Sequence, residues 1–272
     1  PGSGKSCLLA NVIDDWIDKG GLGLIGRCTY VTRTEPLAPI RAMFAGFLGL
    51  TGDETDAEQI VRQGLARYDL GDGGEALVRF LSQPPDLDAG NPRMQDDLSW
   101  QQVVGAIERF VRQRVQEAPV LYVIEDLHQA DSLTIRLVHR MAQIPRDQRF
   151  LFIVTCRSDP TLIDLKSRWD RDIELRDLHL RDSADLVARM FGADGVDDEV
   201  AGFLWERTEG NPGRLVELTG FLRDRGLLKN HGQSVVAPAP GLALLKEVVP
   251  ANMAQFALGR LEHLNEIERR LL

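Results

Sequence analysis

The sequence is poor in sulfur and aromatic surface, and it carries no excess of positive charge. Its three cysteines, Cys7, Cys28 and Cys156, have no metal-ligand spacing and make no disulfide framework, so reduced thiols in a cytoplasmic setting are expected. Lysine and arginine number 32 against 41 aspartates and glutamates, a formal charge of −9. That balance argues against a surface built for nucleic acid or for an anionic membrane. No apolar run approaches the roughly 18 residues of a membrane span, and neither a signal-peptide pattern nor an internal repeat is evident. What remains is an ordinary globular composition, 43% hydrophobic and 27% charged, in a chain long enough for one large or two modest domains with a core.

The first six residues carry the strongest signal. Pro1-Gly2-Ser3-Gly4-Lys5-Ser6 fits the last six places of G-x-x-x-x-G-K-[ST], which places the opening glycine two residues upstream of Pro1. This pattern cradles phosphates with backbone N–H groups, and its glycines leave the anion's approach unobstructed. The lysine reaches the β- and γ-phosphates, and the next hydroxyl ligates Mg²⁺. Gly2, Ser3, Gly4, Lys5, Ser6 and Cys7 are therefore the candidate residues for ATP or ADP, with Ser6 also a metal ligand. The apolar residues Leu8, Leu9, Val12, Ile13, Trp16 and Ile17 recur with helical period, and Gly20-Gly21 stops the helix. Its N-terminus, with unpaired N–H groups and the positive dipole end, is the phosphate site.

Downstream, residues 22–30 read as a strand and 40–50 as a helix. Residues 51–95 mix short helices with turns, and 82–94 form the clearest loop. Residues 100–116 form an amphipathic helix. Two continuous apolar runs follow, Val120-Leu-Tyr-Val-Ile124 and Phe150-Leu-Phe-Ile-Val154, which is how strands buried on both faces of a parallel sheet read. Ile173-Glu-Leu175 is expected as a last strand. Helical patterns then cover 184–191, 199–207 and 214–228, residues 229–241 suit a linker or hairpin, and 253–272 are helical again. The fold class expected is a parallel α/β sheet with helices on both faces, followed by a helical lid. The strand leading into the phosphate loop is expected upstream of Pro1 and central in the sheet, so without it two apolar edges would be open to aggregation.

Glu125-Asp126 stands directly at the end of the first apolar run. In P-loop ATPases an acid there holds Mg²⁺, usually through water, and a neighbouring acid orients or deprotonates the attacking water. Glu125 is the metal candidate and Asp126 the catalytic one; the plainer alternative for the pair is a solvated strand end. Asp131, before Ser-Leu-Thr-Ile, reads as a helix N-cap. His128 either faces the nucleotide or is structural. Thr155 and Arg157 end the second run, where loops surround ligands in open α/β sheets. Thr155 is a phosphate sensor or a strand cap, and Arg157 is the better sensor.

Together these strings resemble a known family. Leu121-Tyr-Val-Ile-Glu-Asp-Leu-His-Gln-Ala-Asp131 looks like the acidic-strand motif of STAND-class signalling ATPases, relatives of the AAA+ and Orc1/Cdc6-like ATPases. Phe150-Leu-Phe-Ile-Val-Thr-Cys-Arg-Ser158 resembles their sensor strand, and Thr208-Glu-Gly-Asn-Pro-Gly213 is similar to the Gly-x-Pro motif that opens their lid helix. Val249-Pro250, Arg260-Leu-Glu-His-Leu264 and Glu268-Arg-Arg-Leu-Leu272 resemble the entry to their winged-helix segment. The resemblance implies that Pro212 borders the adenine. It also implies three segments: an ATPase core over 1–178, a lid over 179–228, and a linker with the start of a winged helix over 229–272.

The implied role is a slow, nucleotide-driven switch in a bacterial transcriptional regulator or a multidomain cyclase or kinase. Flanking effector and helical-repeat domains of the same parent chain are the implied partners, with nucleotide-dependent self-association. Neither nucleic acid nor membrane is an expected partner. Two departures stand out. Gln129 replaces a frequent tryptophan, and the acidic pair runs Glu then Asp, opposite to vigorous AAA+ hydrolases. Arg214, opening the lid helix, resembles the second sensor of AAA+ motors and is either a γ-phosphate contact or a solvated first-turn residue. The rival reading is an AAA+ motor or an Orc1/Cdc6-like DNA-loading ATPase. A GTPase is disfavoured because the guanine-reading string N-K-x-D is missing from the sequence, and a small-molecule kinase because of the long lid.

Overall fold

The computed structural model describes residues 2–51, 55–83, 97–143, 149–157, 169–238 and 241–249, without the side chains of 97–100. The expected loop over 82–94 falls from residue 84 onward outside the described residues, as do the helix expected over 253–272 and most of the winged-helix segment. The chain forms two compact units, Ser6–Asp172 and a second that joins Pro1–Lys5 to Ile173–Leu272.

The larger unit is built on a parallel sheet ordered β1-β2-β3, with β1 at Leu22–Arg27, β2 at Val120–Glu125 and β3 at Phe150–Val154. The central strand explains the unbroken apolar run in its sequence. Val120, Tyr122 and Ile124 point into the main core, while Leu121 and Val123 point the other way, against Leu9 with Ile13, Trp16, Ile25 and Ile153. A strand covered on both faces has no polar side. The helix α1, Lys5–Asp18, supplies that second cover through its periodic Leu9, Ile13 and Trp16.

On the main-core face lie α2 at Ala38–Leu48, α3 at Ala57–Leu65, α4 at Gly74–Ser82 and α5 at Asp97–Glu117. Phe110 of α5 is their hub, with ring centroids 5.0 Å from Phe44, 5.2 Å from Phe47 and 4.8 Å from Tyr68. Tilted and edge-on aromatic pairs of this kind add about 0.5–1.5 kcal/mol each beyond their buried area. Helix α2 crosses β1 very closely. A Cβ on Gly26 would lie 2.6 Å from the Pro39 carbonyl oxygen, so only glycine admits this approach.

Helix α6, Ser132–Met141, starts at Asp131 as expected. The carboxylate does more than cap. Its Oδ1 accepts the N–H groups of Leu133 at 2.9 Å and Thr134 at 3.0 Å, and its Oδ2 accepts the Thr134 hydroxyl and the N–H of Leu37 at 3.2 Å. Leu37 is fully buried at a left-handed φ of 58°, an uncommon and costly conformation for a bulky residue. The Asp131 clamp holds it there and joins the starts of α2 and α6. Asp131→Ala is expected to cost about 2–3 kcal/mol, a lost cap plus an orphaned buried N–H. Urea denaturation of the variant checks this, and a midpoint equal to the parent's would refute it.

The second unit contains α7 at Leu180–Phe191, β4 at Gly195–Val196, α8 at Asp198–Thr208, α9 at Pro212–Asp224, β5 at Lys229–His231, β6 at Ser234–Val236 and α10 at Leu242–Val248. Residues 229–236 form a hairpin, antiparallel between β5 and β6, and β4 pairs parallel to β6. Val187, Phe203, Leu204, Leu215, Leu218, Leu222, Val235 and Leu245 form its core.

One expected element is not formed. Ile173-Glu-Leu175 is irregular, and Ile173 is 72% exposed. A strand of three residues holds only as part of a ladder, and among the described residues β3 pairs with β2 alone. The strand expected over 22–30 also ends early, at Arg27. There the chain leaves the sheet for a turn in which Thr29 Oγ1 accepts the Thr32 N–H at 3.2 Å.

Candidate nucleotide-binding site

The carboxyl ends of three parallel strands bring Arg27, Glu125 and Thr155 to one edge of the sheet. This is the edge at which ligands enter open α/β sheets. Ser6, in the first turn of α1, meets it from the side: its Oγ donates to Glu125 Oε2 at 3.2 Å. Two residues 119 positions apart, each singled out as a metal ligand, are thus joined. The Glu125 side chain is only 13% exposed, because β2 is central and its end is walled by neighbours. Arg27 is the residue that motif reasoning missed. Its Nη2 donates to Glu125 Oε2 at 3.2 Å and lies 3.5 Å from Ser6 Oγ. The sequence offered only an arginine closing the otherwise uncharged strand Leu-Gly-Leu-Ile-Gly-Arg; its register with Glu125 comes from the structure.

Asp126 has a left-handed backbone, φ 54° and ψ 44°. Aspartate tolerates this region better than most residues, and such conformations persist where surroundings impose them. Here the surroundings are Thr155. Its Oγ1 accepts the Asp126 N–H at 3.0 Å, its carbonyl accepts the Leu127 N–H at 2.9 Å, and its own N–H donates to the Ile124 carbonyl at 3.0 Å. Of the two readings of Thr155, these contacts are those of a strand cap. His128 Nδ1 accepts the Arg157 N–H at 3.4 Å, tying the loop after β2 to the end of β3, while Arg157 itself is exposed.

Cys28 lies beneath this edge, 2% exposed. Burial, then the charges of Asp131 and Asp126, push its thiol from 9.0 up to about 12. A thiol raised by that much holds roughly a thousandfold less thiolate than a free one near neutral pH. Cys28 is therefore expected to resist iodoacetamide in the native protein, while the exposed Cys7 reacts; mass spectrometry of the labelled peptides decides, and native labelling of Cys28 would refute its burial. The same shift contributes to the alkaline limb of stability. The unfolded thiol ionises above pH 9.0 and the folded one only near 12, so this contribution is complete below 9.0 and lost as pH rises between those values.

The second unit contains the first residues of the phosphate loop. Lys5 Nζ donates to Ser3 Oγ at 3.0 Å. Gly2 and Gly4 have φ of 79° and 86°, the left-handed conformation that glycine permits. The Gly2 carbonyl accepts the Gly213 N–H at 2.8 Å, and a Cβ on Gly213 would lie 2.7 Å from Gly2 Cα. Asn211 caps α9, its Oδ1 accepting the Arg214 N–H at 3.2 Å, with Pro212 at the first helical position. The Gly210-Asn-Pro212 string thus opens a helix. Arg214 Nη1 pairs with Glu209 Oε2 at 3.1 Å and is half exposed.

Among the described residues no cluster of three His, Cys, Asp or Glu side chains is placed to hold a metal. One hydroxyl and one carboxylate, as at Ser6 and Glu125, is a donor set that fits Mg²⁺, which keeps several waters and takes its other oxygens from phosphates. No helix among the described residues is long and apolar enough to cross a membrane.

Solved structures of RuvB mutants from Thermotoga maritima are similar over part of their length. One is 19% identical with a TM-score of 0.31, covering 42% of this chain and 41% of that one. A second is 21% identical with a TM-score of 0.30, covering 39% and 37%. The matched part is thus less than half of each of these two chains. No curated protein matches the sequence. The family model described as "AAA ATPase domain" matches residues 1–154, more than half of the chain and all of the sheet built around Ser6, Arg27, Glu125 and Asp126, and the chain belongs to that family.

Proposed function

We propose that this chain is an ATP-binding regulatory module that hydrolyses ATP slowly and acts as a nucleotide-dependent switch within a larger cytoplasmic signalling or transcription-regulatory protein. The observation that supports it best is the 3.2 Å contact between Ser6 and Glu125, which brings the hydroxyl of the phosphate loop to the acid at the strand end. In this reading the backbone of Gly2, Ser3, Gly4 and Cys7 cradles the phosphates, and Lys5 Nζ leaves Ser3 for the β- and γ-phosphates. Ser6 and Glu125 would hold Mg²⁺, whose positive charge would offset that of the phosphates. Asp126 positions the attacking water or takes its proton. Arg157 senses the γ-phosphate, Arg214 joins it by leaving Glu209, and Pro212 borders the adenine.

The Glu-then-Asp order favours a switch over a motor, because the shorter acid in the second place reaches the attacking water less easily. Its output would pass to flanking effector and helical-repeat domains, with self-association when ATP is bound. The test is equilibrium binding of ATP and ADP with Mg²⁺, followed by single-turnover hydrolysis. Binding with turnover of about 10⁻² s⁻¹ or slower, the range of P-loop switches lacking an arginine supplied in trans, is expected. No detectable binding of either nucleotide would overturn the reading.

A further inference from the structure

Arg27 has no place in the roles given above, yet it reaches both Glu125 and Ser6. We propose that Arg27 is a built-in competitor of the divalent cation: its guanidinium and Mg²⁺ contend for the same oxygen of Glu125. The inference rests on the nucleotide-binding reading.

Three observations support it. First, the position is fixed by the backbone. Arg27 and Glu125 are partners in the parallel register of β1 and β2, so both side chains leave the sheet on the same face. Second, the donors converge on one atom. Arg27 Nη2 and Ser6 Oγ both reach Glu125 Oε2 at 3.2 Å, and Arg27 Nη2 lies 3.5 Å from Ser6 Oγ. These are the two side-chain oxygens that would ligate the metal. Third, the partners differ in freedom. The Arg27 side chain is 57% exposed and the Glu125 side chain 13%.

A guanidinium keeps its charge at any ordinary pH. Mg²⁺ binds oxygen at about 2.0–2.1 Å with near-ideal octahedral geometry. A guanidinium nitrogen hydrogen-bonded to the same oxygen would crowd the ion, or the water through which Glu125 holds it, and add like-charge repulsion. One cation must leave, and the exposed Arg27 is the one with room to swing into solvent. Glu125, held in place, always keeps a counter-ion and is presented ready to bind. The cost is a threshold: metal must displace an ion pair before the complex tightens. The protein would then retain nucleotide only above a Mg²⁺ concentration that Arg27 sets.

The test uses the whole chain, a fluorescent ADP analogue, and Mg²⁺ titrated at constant ionic strength. The variants are Arg27→Gln, which keeps length and polarity without charge, and Arg27→Lys, which keeps charge without the fork. A partly exposed ion pair contributes modestly, so Arg27→Gln is expected to lower the Mg²⁺ midpoint about twofold to fivefold. Arg27→Lys should stay near the parent, and binding of metal-free analogue in excess chelator should not change in either. Melting temperatures near the parent's show that the variants are folded. A midpoint in Arg27→Gln equal to the parent's, or a higher one, overturns the competition. So does a loss of ATP affinity but not ADP affinity at saturating Mg²⁺, which would place Arg27 on the γ-phosphate instead. If the parent binds no nucleotide at any Mg²⁺ concentration, the functional reading itself falls, an outcome distinct from either of these.

Discussion

Lys5→Ala is expected to weaken ATP binding at least tenfold, about 1.4 kcal/mol, without unfolding the protein. Among the described residues the ammonium of Lys5 is hydrogen-bonded to a neutral partner, the Ser3 hydroxyl at 3.0 Å, so a polyphosphate arriving at the loop offers it a far stronger one. Charge-assisted contacts to phosphate are roughly twice as strong as neutral hydrogen bonds, and a lysine acts on two phosphate groups together. The backbone N–H groups of the first turn of α1 and its dipole remain in the variant, which is why binding should weaken rather than vanish. Stability should hold, because Lys5 is the first residue of α1 and alanine has the highest helix propensity. Ser3→Ala, which removes only the resting partner, should change affinity much less. Isothermal calorimetry on the three proteins with ATP and Mg²⁺ gives the answer. Unchanged affinity in Lys5→Ala would remove the lysine from the site.

How far this site could be read from sequence depends on where its contacts come from. The phosphate loop, the acid at the end of β2 and the cap at Asp131 are local strings whose chemistry follows from adjacency: a glycine beside a lysine, an acid closing an apolar run, an aspartate before a helix. In the structure the glycine-lysine string opens α1, Glu125 ends β2 and Asp131 caps α6. The parallel pairing of β2 with β3 was equally legible, because an unbroken apolar strand must be covered on both faces. Arg27 was not. Its meaning comes from the register between β1 and β2, a relation between residues 98 positions apart that no local pattern encodes. Thr155 shows the same limit. Its sequence position allowed a sensor or a cap, and only the three hydrogen bonds around Asp126 separate the two. The strand expected over 173–175 failed for a related reason: β-propensity describes how a residue fits a ladder, and supplies no ladder. The left-handed backbones of Leu37 and Asp126 were also invisible, since they are imposed by Asp131 and Thr155 from elsewhere in the chain.

Asp126→Asn is expected to lower single-turnover hydrolysis on the order of 10²-fold or more, within the usual range for a general base, while ATP binding survives. Asparagine keeps the shape of the side chain and tolerates the left-handed backbone, with φ at 54°. The clamp from Thr155 to the Asp126 N–H is therefore kept, and what is lost is negative charge and basicity. If the module is a switch, the consequence is retention: ATP stays bound, and the state it favours persists. Arg214→Ala separates this from a motor. In the structure Arg214 is paired with Glu209 at 3.1 Å and is half exposed, and exposed ion pairs contribute little, commonly under about 1 kcal/mol. For a switch whose lid is anchored through Pro212 and the adenine, Arg214→Ala should then change hydrolysis only slightly. In a motor-like enzyme Arg214 would leave Glu209 and carry transition-state charge, and removing such a group costs about 10²-fold or more in rate. The deciding measurement is single-turnover hydrolysis with chromatography of the retained nucleotide, on the parent, Asp126→Asn and Arg214→Ala. Retained ATP in Asp126→Asn with a nearly unaffected Arg214→Ala supports the switch. Parent turnover of many ATP per second, abolished by Arg214→Ala, would replace it with the motor.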